Sequence, residues 1–195
     1  MRSGTPCGPC GSAAKKTLGY RERDPARRKV FLRLRERYRR RGQVLVYVDE
    51  SGFAREAIRR YGRARVGEKV HGWCAGQRRP RTSLLAARLE GQGFDFPFLF
   101  EGACTSAVFN QWLQQQLVPA LSAHHVVILD NAAFHKSATT RRLIEQTGAR
   151  LLFLPPYSPD LNPIEHDFAN LKKRREYHPD QPLNHIVKMY CYLCE

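Results

Sequence analysis

Two short apolar runs, VLVYVD at Val44–Asp49 and HHVVILD at His124–Asp130, constrain what this chain can fold into more than any other feature. Each is rich in β-branched residues and ends in an aspartate. Unbroken apolar runs of this length suit strands buried on both faces, as in a sheet covered by helices on each side. In open α/β sheets the groups that do chemistry collect just past the carboxyl ends of such strands, where Asp49 and Asp130 stand. Read singly, either aspartate is an ordinary strand-end turn residue.

A third carboxylate belongs with them. The stretch LFLPPYSPDLNPIEHDFANLKK, Leu152 to Lys173, predicts the end of a buried strand covering Leu151 to Leu154. A loop stiffened by Pro155, Pro156 and Pro159 follows, then a helix opening at Asn162-Pro163. Asparagine is a good N-cap and proline suits the first helical position, so Glu165 falls in the first turn. On its own, Glu165 could simply be the reciprocal member of a capping box with Asn162. Hard divalent cations prefer carboxylate oxygens, and Mg²⁺ typically takes one or two of them together with substrate phosphate and water. Asp49, Asp130 and Glu165 are therefore a candidate cation site.

The rest of the chain supplies a frame. Val44–Asp49 leads into a turn at Glu50-Ser51-Gly52-Phe53 and an Arg-rich connection, Arg55 to Arg65. Thr82 to Leu89 and Phe94 to Phe100, separated by Glu90-Gly91-Gln92-Gly93, read as an antiparallel hairpin. Ser106 to Leu121 is predicted helical, burying Val108, Trp112, Leu113 and Leu117. A strand ends at Asp130, and a helix over Ala138 to Thr147 is closed by Gly148. A last helix covers Leu183 to Tyr192. This order predicts an α/β domain over residues 43–195, a mixed five-stranded sheet flanked by helices. Residues 1–14 read as a disordered lead-in, and residues 15–42 as a basic helical segment opened by Asp24-Pro25 and striped by Phe31, Leu34 and Tyr38.

Charge narrows the partners. The 195 residues carry 33 Lys and Arg against 18 acidic residues, a net charge of +15, so a polyanion is the natural partner. Eleven of the basic residues lie between Arg21 and Gly42, with three acidic ones. Arg27, Arg28, Arg35, Arg39 and Arg40 are candidate contacts to DNA phosphates there, and Lys172, Lys173 and Arg174 beyond Glu165 are others. A solvated cationic helix face is the plainer reading of both groups. No apolar run approaches the roughly 18 residues that a membrane span needs, and the N-terminus lacks the apolar core of a signal peptide, so a cytoplasmic protein with no membrane partner is expected. The pairs Cys7/Cys10 and Cys191/Cys194 lie at opposite chain ends, which argues against a shared zinc site and for reduced thiols.

Three blocks together, VDESGF (Val48 to Phe53), LDNAAFHKS (Leu129 to Ser137) and LPPYSPDLNPIE (Leu154 to Glu165), resemble the signature blocks of bacterial insertion-sequence transposases of the mariner-related superfamily. The 34 residues from 131 to 164 between the second aspartate and the glutamate match that family's spacing. The resemblance runs from about Lys15 to the C-terminus. It implies a ribonuclease H-like fold in which the first and fourth strands are neighbours. It implies a catalytic triad of Asp49, Asp130 and Glu165 holding two Mg²⁺ ions, with Mn²⁺ as a substitute. It further implies a homodimer that cuts DNA at transposon ends and joins the freed 3′ end to target DNA, typically at a TA dinucleotide. Asn131 and His135, in the D-N-x-x-x-H block, either orient substrate phosphate or a metal-bound water, or hold the loop. Glu50 is expected to point away from Asp49 across its strand.

Relatives usually begin with helix-turn-helix modules, and the roughly 40 residues before the first strand are too few for one. The resemblance thus implies either a recognition half supplied from an upstream reading frame or a decayed element. Two other readings remain open at this point: a DNA-binding remnant that no longer cuts, and a ribonuclease H-like nuclease without strand transfer.

Overall fold

Alternation along the first strand sets the architecture. The computed structural model describes residues 20–54, 64–69, 71 and 81–192. In strand β1, Val44–Phe53, Leu45 and Tyr47 join one apolar cluster while Val46 and Val48 join a second on the opposite face. The strand is buried on both sides, as its unbroken run demands.

The other strands are β2 (Thr82–Leu89), β3 (Gly93–Glu101), β4 (His125–Leu129) and β5 (Arg150–Phe153). They form a five-stranded sheet in the order β3-β2-β1-β4-β5. The β2–β3 hairpin pairs antiparallel with β1, while β4 and β5 run parallel to it, so the sheet is mixed. One face is covered by α1 (Pro25–Arg40), α4 (Ile164–Tyr177) and α5 (Leu183–Tyr192) through Phe31, Phe168, Leu171 and Ile186. The other is covered by α2 (Ser106–Trp112), its continuation, and α3 (Ala138–Glu145).

Three expectations need correction. The turn expected at Glu50 to Phe53 is strand: β1 runs on to Phe53 because β2 continues to pair with it, from Asp49 opposite Ala86 to Phe53 opposite Thr82. The helix expected over Ser106 to Leu121 is regular only to Trp112, then widens into a π-helical turn at Leu113–Leu117 and tightens into a 3₁₀ turn at Val118–Ala120. Pro119 has no N–H for the carbonyl four residues back, so the regular ladder cannot continue through it. That helix buries Phe109 beside Trp112, Leu113 and Leu117, while Val108 packs only partly buried against the same cluster.

The basic segment is not a free arm. Phe31 is 3% exposed against Leu45 and Tyr47, and Leu32 and Tyr38 pack beside it, so α1 is docked on the sheet. Burying Phe31 alone contributes about 2 kcal/mol. The lead-in at residues 1–14, most of the Arg-rich connection, and Cys7, Cys10, Cys74 and Cys194 lie outside the described residues. Among the described residues no helix is long and apolar enough to cross a membrane.

A buried ion pair fixes α4 to the sheet. Asp167, 3% exposed, accepts hydrogen bonds from Arg88 Nη1 on β2, at 2.7 Å to each oxygen, and from Tyr190 Oη on α5 at 2.8 Å. Asp167→Ala strands both donors and should cost about 3 kcal/mol, read as a lower urea midpoint at unchanged slope. A loss under about 0.5 kcal/mol would show that packing alone positions α4.

Candidate active site

The side-chain parity that builds the core also aims the carboxylates. Leu45 and Tyr47 on β1, with Val126 and Ile128 on β4, face the α4 side of the sheet. Asp49 and Asp130 are the next residues of the same parity. The pairing Leu45 with Val126 and Tyr47 with Ile128, carried two residues further, sets the two aspartates side by side. There β4 has stopped at Leu129 while β1 continues against β2, so the sheet steps and a cleft opens. Glu165, in the first turn of α4, lines that cleft of about 570 Å³ with Asp49, Glu50, Asp130 and Asn131.

Asp49 accepts a hydrogen bond from the Glu50 N–H on Oδ1 at 2.7 Å and from Asn162 Nδ2 on Oδ2 at 2.9 Å. The second bond corrects the reading of Asn162 as a side-chain cap. Its backbone does begin the helix, since its carbonyl accepts the Glu165 N–H at 3.2 Å. Its side chain instead crosses to β1, and neither half of a capping box is formed by it. Asn162 is 3% exposed and its Oδ1 has no partner. The Leu-Asn-Pro context gave only the capping signal, and no local pattern points to an aspartate 113 residues away.

Asp130 is held differently. Its Oδ1 accepts from the Ala132 N–H at 2.9 Å and from His135 Nδ1 at 2.5 Å. His135 is 1% exposed, with the rings of Phe109 and Phe134 at 4.4 and 4.2 Å, so it grips the aspartate from behind rather than lining the cleft. Asn131 lines the cleft, and its Nδ2 donates to the carbonyl of Leu154, tying this loop to the end of β5. Glu50 also reaches the cleft wall, and burial with the Glu50 carboxylate nearby pushes the Cys104 thiol up to about 12.

These surroundings drive the two aspartates apart. Burial first, then the charges of Asp130, Glu165 and Glu50, push Asp49 up to about 7 against the bond from the Glu50 N–H. Burial also works against ionised Asp130, but the bonds from His135 and Ala132 and the charges of His135 and Lys136 outweigh it and hold Asp130 below the usual carboxylate range. Mutually repelling carboxylates at one cleft, beside an orphaned amide oxygen, suit a hard divalent cation, and without thiolate or imidazole at the surface they suit zinc poorly. Among the described residues no three His, Cys, Asp or Glu side chains already close around one point. Glu165 is exposed at the rim, so an ion would have to draw it inward.

A family model described as DDE superfamily endonuclease matches residues 44–182, well over half of the chain. The chain belongs to the DDE superfamily endonucleases. Several solved structures share the fold of this domain. A mariner Mos1 paired-end complex with Mg matches with a TM-score of 0.66 at 17% identity, covering 94% of this chain and 58% of that one. A Mos1 strand transfer complex matches with a TM-score of 0.64 at 22% identity, covering 85% and 53%. The isolated catalytic domain of Mos1 mariner transposase matches with a TM-score of 0.53 at 19% identity, covering 82% and 74%. The fold is thus the ribonuclease H-like one that the three sequence blocks implied. The chain spans about half the length of the Mos1 chains in the complexes. No curated protein matches its sequence.

The cations singled out by charge, with Arg23, fall into two groups. Arg28 clamps Asp160 through Nη1 and Nη2 at 3.1 and 2.8 Å, and Arg23 joins it at 2.8 Å. Arg39 is paired with Glu90, and Arg35 turns inward with its Nε buried. These residues brace α1 against the body of the domain. Arg27 and Arg40 remain largely exposed, in surface pairs with Asp24 and Glu36. Lys173 is exposed, while Lys172 and Arg174 lie over the rings of Phe53 and Tyr190 at 5.7 and 5.3 Å. A docked helix turns part of its charge toward the protein, and composition alone does not say which part.

Proposed function

We propose that this DDE domain is the catalytic part of a transposase, cutting DNA at transposon ends and joining the freed 3′ end to target DNA in a metal-dependent reaction. The observation that carries this reading is the register of β1 and β4, which aims Asp49 and Asp130 into one cleft beneath Glu165. Those three carboxylates would hold two Mg²⁺ ions, or Mn²⁺ in their place, in keeping with the Mos1 paired-end complexes solved with Mg and with Mn. When bound, such ions polarise the attacking oxygen, stabilise the leaving one and offset charge on the phosphorus.

The protein's own groups prepare that arrangement. Both protein bonds to Asp130 fall on Oδ1, which leaves Oδ2 as the oxygen for a ligand. Asn162 fixes the plane of the Asp49 carboxylate, while Glu165 is free to rotate inward from its helix. Such supported carboxylates are the usual way a site is pre-formed before its cation arrives. Arg27, Arg40 and Lys173 are the cations best exposed to meet the DNA backbone. The active assembly would be a homodimer on paired ends, with end recognition supplied by a helix-turn-helix product from an upstream frame.

The test is nicking of supercoiled plasmid by the purified chain. Nicked circles are expected in Mn²⁺ and Mg²⁺ and not in Ca²⁺, which binds carboxylates with looser geometry. A chain that retards plasmid but nicks it in neither active cation, even with the upstream helix-turn-helix product supplied, is a DNA-binding remnant.

A further inference from the structure

Two described non-glycine residues adopt the left-handed backbone that side chains usually avoid, Phe96 with φ 54° and Tyr157 with φ 53°. Phe96 has a structural reason. It lies where the pairing of β3 with β2 shifts register, and its carbonyl accepts the Trp112 Nε1–H at 3.1 Å. Tyr157 belongs to no strand, and its ring is exposed. Its backbone is nonetheless clamped: Arg23 Nε donates to its carbonyl at 3.1 Å, and Arg23 and Arg28 together grip Asp160 three residues on.

The ring so placed stands at the lip of the carboxylate cleft, and the ring of Tyr20 lies beside it, centroids 6.0 Å apart and planes tilted by 40°. Both tyrosines are more than half exposed, 53% for Tyr20 and 54% for Tyr157. Strain held in place by outside contacts, on a residue facing a cleft, points to a role in what the cleft receives. Asp160 pairs with both neighbouring arginines, whose side chains are only 25% and 19% exposed, so this part of the lip presents mainly aromatic faces. In DNA the flat apolar partner for such faces is a nucleobase, and within a duplex its faces are covered by its neighbours.

We propose that Tyr157 and Tyr20 receive an unstacked nucleobase beside the phosphate that lies over Asp49, Asp130 and Glu165. The inference rests on the DNA-cutting reading for its substrate, and it adds that the strand is locally opened at the cleft. Stacking of one base on an aromatic side chain is sequence-tolerant and changes affinity by about tenfold or more.

The experiment uses the full chain in Ca²⁺ with two DNA hairpins, one carrying a single unpaired 2-aminopurine in its stem and the other fully paired. Tyr157→Gly removes the ring while suiting the positive φ, so the fold is kept; Tyr157→Phe keeps the ring. The unmodified chain and Tyr157→Phe should quench the 2-aminopurine and bind the unpaired hairpin more tightly. Tyr157→Gly should lose about tenfold on the unpaired hairpin, lose the quenching, and bind the paired hairpin as before, with Tyr20→Ala shifted the same way. Undiminished binding by Tyr157→Gly, or an equal loss on both hairpins, overturns the proposal. Plasmid nicking in Mn²⁺ reports separately on catalysis. A chain that cuts, with a Tyr157→Gly variant indifferent to the unpaired base, keeps the transposase reading and loses this one. A chain that never cuts, yet quenches through Tyr157, does the reverse.

Discussion

An Asp130→Asn protein is expected to fold normally and to nick plasmid at least about a thousandfold more slowly than the unmodified chain. The size follows from removing one of the anionic oxygens that hold the metal ions, whose stabilisation of developing charge is worth several kcal/mol, at about 1.4 kcal/mol per decade of rate. The fold is kept because the amide reproduces the contacts that matter locally. Its Oδ1 still accepts from the Ala132 N–H and from His135 Nδ1, and its volume is that of the aspartate. A modest loss of stability is expected, since Asp130 is held below the usual carboxylate range and its ionised form favours the folded state. That contribution is fully present above the unfolded carboxylate range and is lost as pH falls through the lower value that Asp130 has in the folded state. The check is nicking in Mn²⁺ with circular dichroism spectra overlaid. Residual activity above about a tenth of the original would place the chemistry elsewhere.

Much of this site could be read from residue order, and the reason is periodicity. A strand repeats every two residues, so once Val44–Asp49 and His124–Asp130 are strands, the fates of Asp49 and Asp130 follow from Leu45, Tyr47, Val126 and Ile128. Glu165 followed from the proline that starts its helix. What did not follow were the bonds between distant segments. Asn162 offers a capping signal to its own helix, and the better acceptor is Asp49 on another element. His135 looked as able to meet substrate as to hold its loop, until the rings of Phe109 and Phe134 enclosed it. Arg28 and Arg39 counted as DNA contacts by charge, but charge has no direction, and Asp160 and Glu90 hold them. The tyrosines at the cleft lip gave no sequence signal, because the contact that holds the Tyr157 backbone comes from Arg23, 134 residues away.

Asp49→Asn should stop nicking as well, yet it should stabilise the metal-free protein, the opposite sign from Asp130→Asn. Asp49 is pushed from its ordinary 3.8 up to about 7 in the folded state, by burial first and then by its carboxylate neighbours. The native state therefore holds a proton that the unfolded chain releases, and stability falls as pH rises between about 4 and 7. Above that window the buried charge costs the folded state about 4 kcal/mol, since each tenfold change in proton affinity is worth about 1.4 kcal/mol. An amide at this position carries no charge to desolvate. It keeps the bond from the Glu50 N–H, and Asn162 can turn its unpartnered Oδ1 to accept from the new amide. The variant should melt on the order of 10 °C above the unmodified chain at pH 8, with the gap shrinking toward pH 4. Mg²⁺ should close the gap from the other side, because a cation in the cleft neutralises Asp49 in the unmodified chain and finds one ligand fewer in the variant. A gap that ignores both pH and Mg²⁺ would mean that Asp49 is not the strained charge of this cleft. A gap that follows both ties the instability of the metal-free fold to the charge cluster proposed to cut DNA, the trade between stability and activity expected when like charges are held together for a ligand.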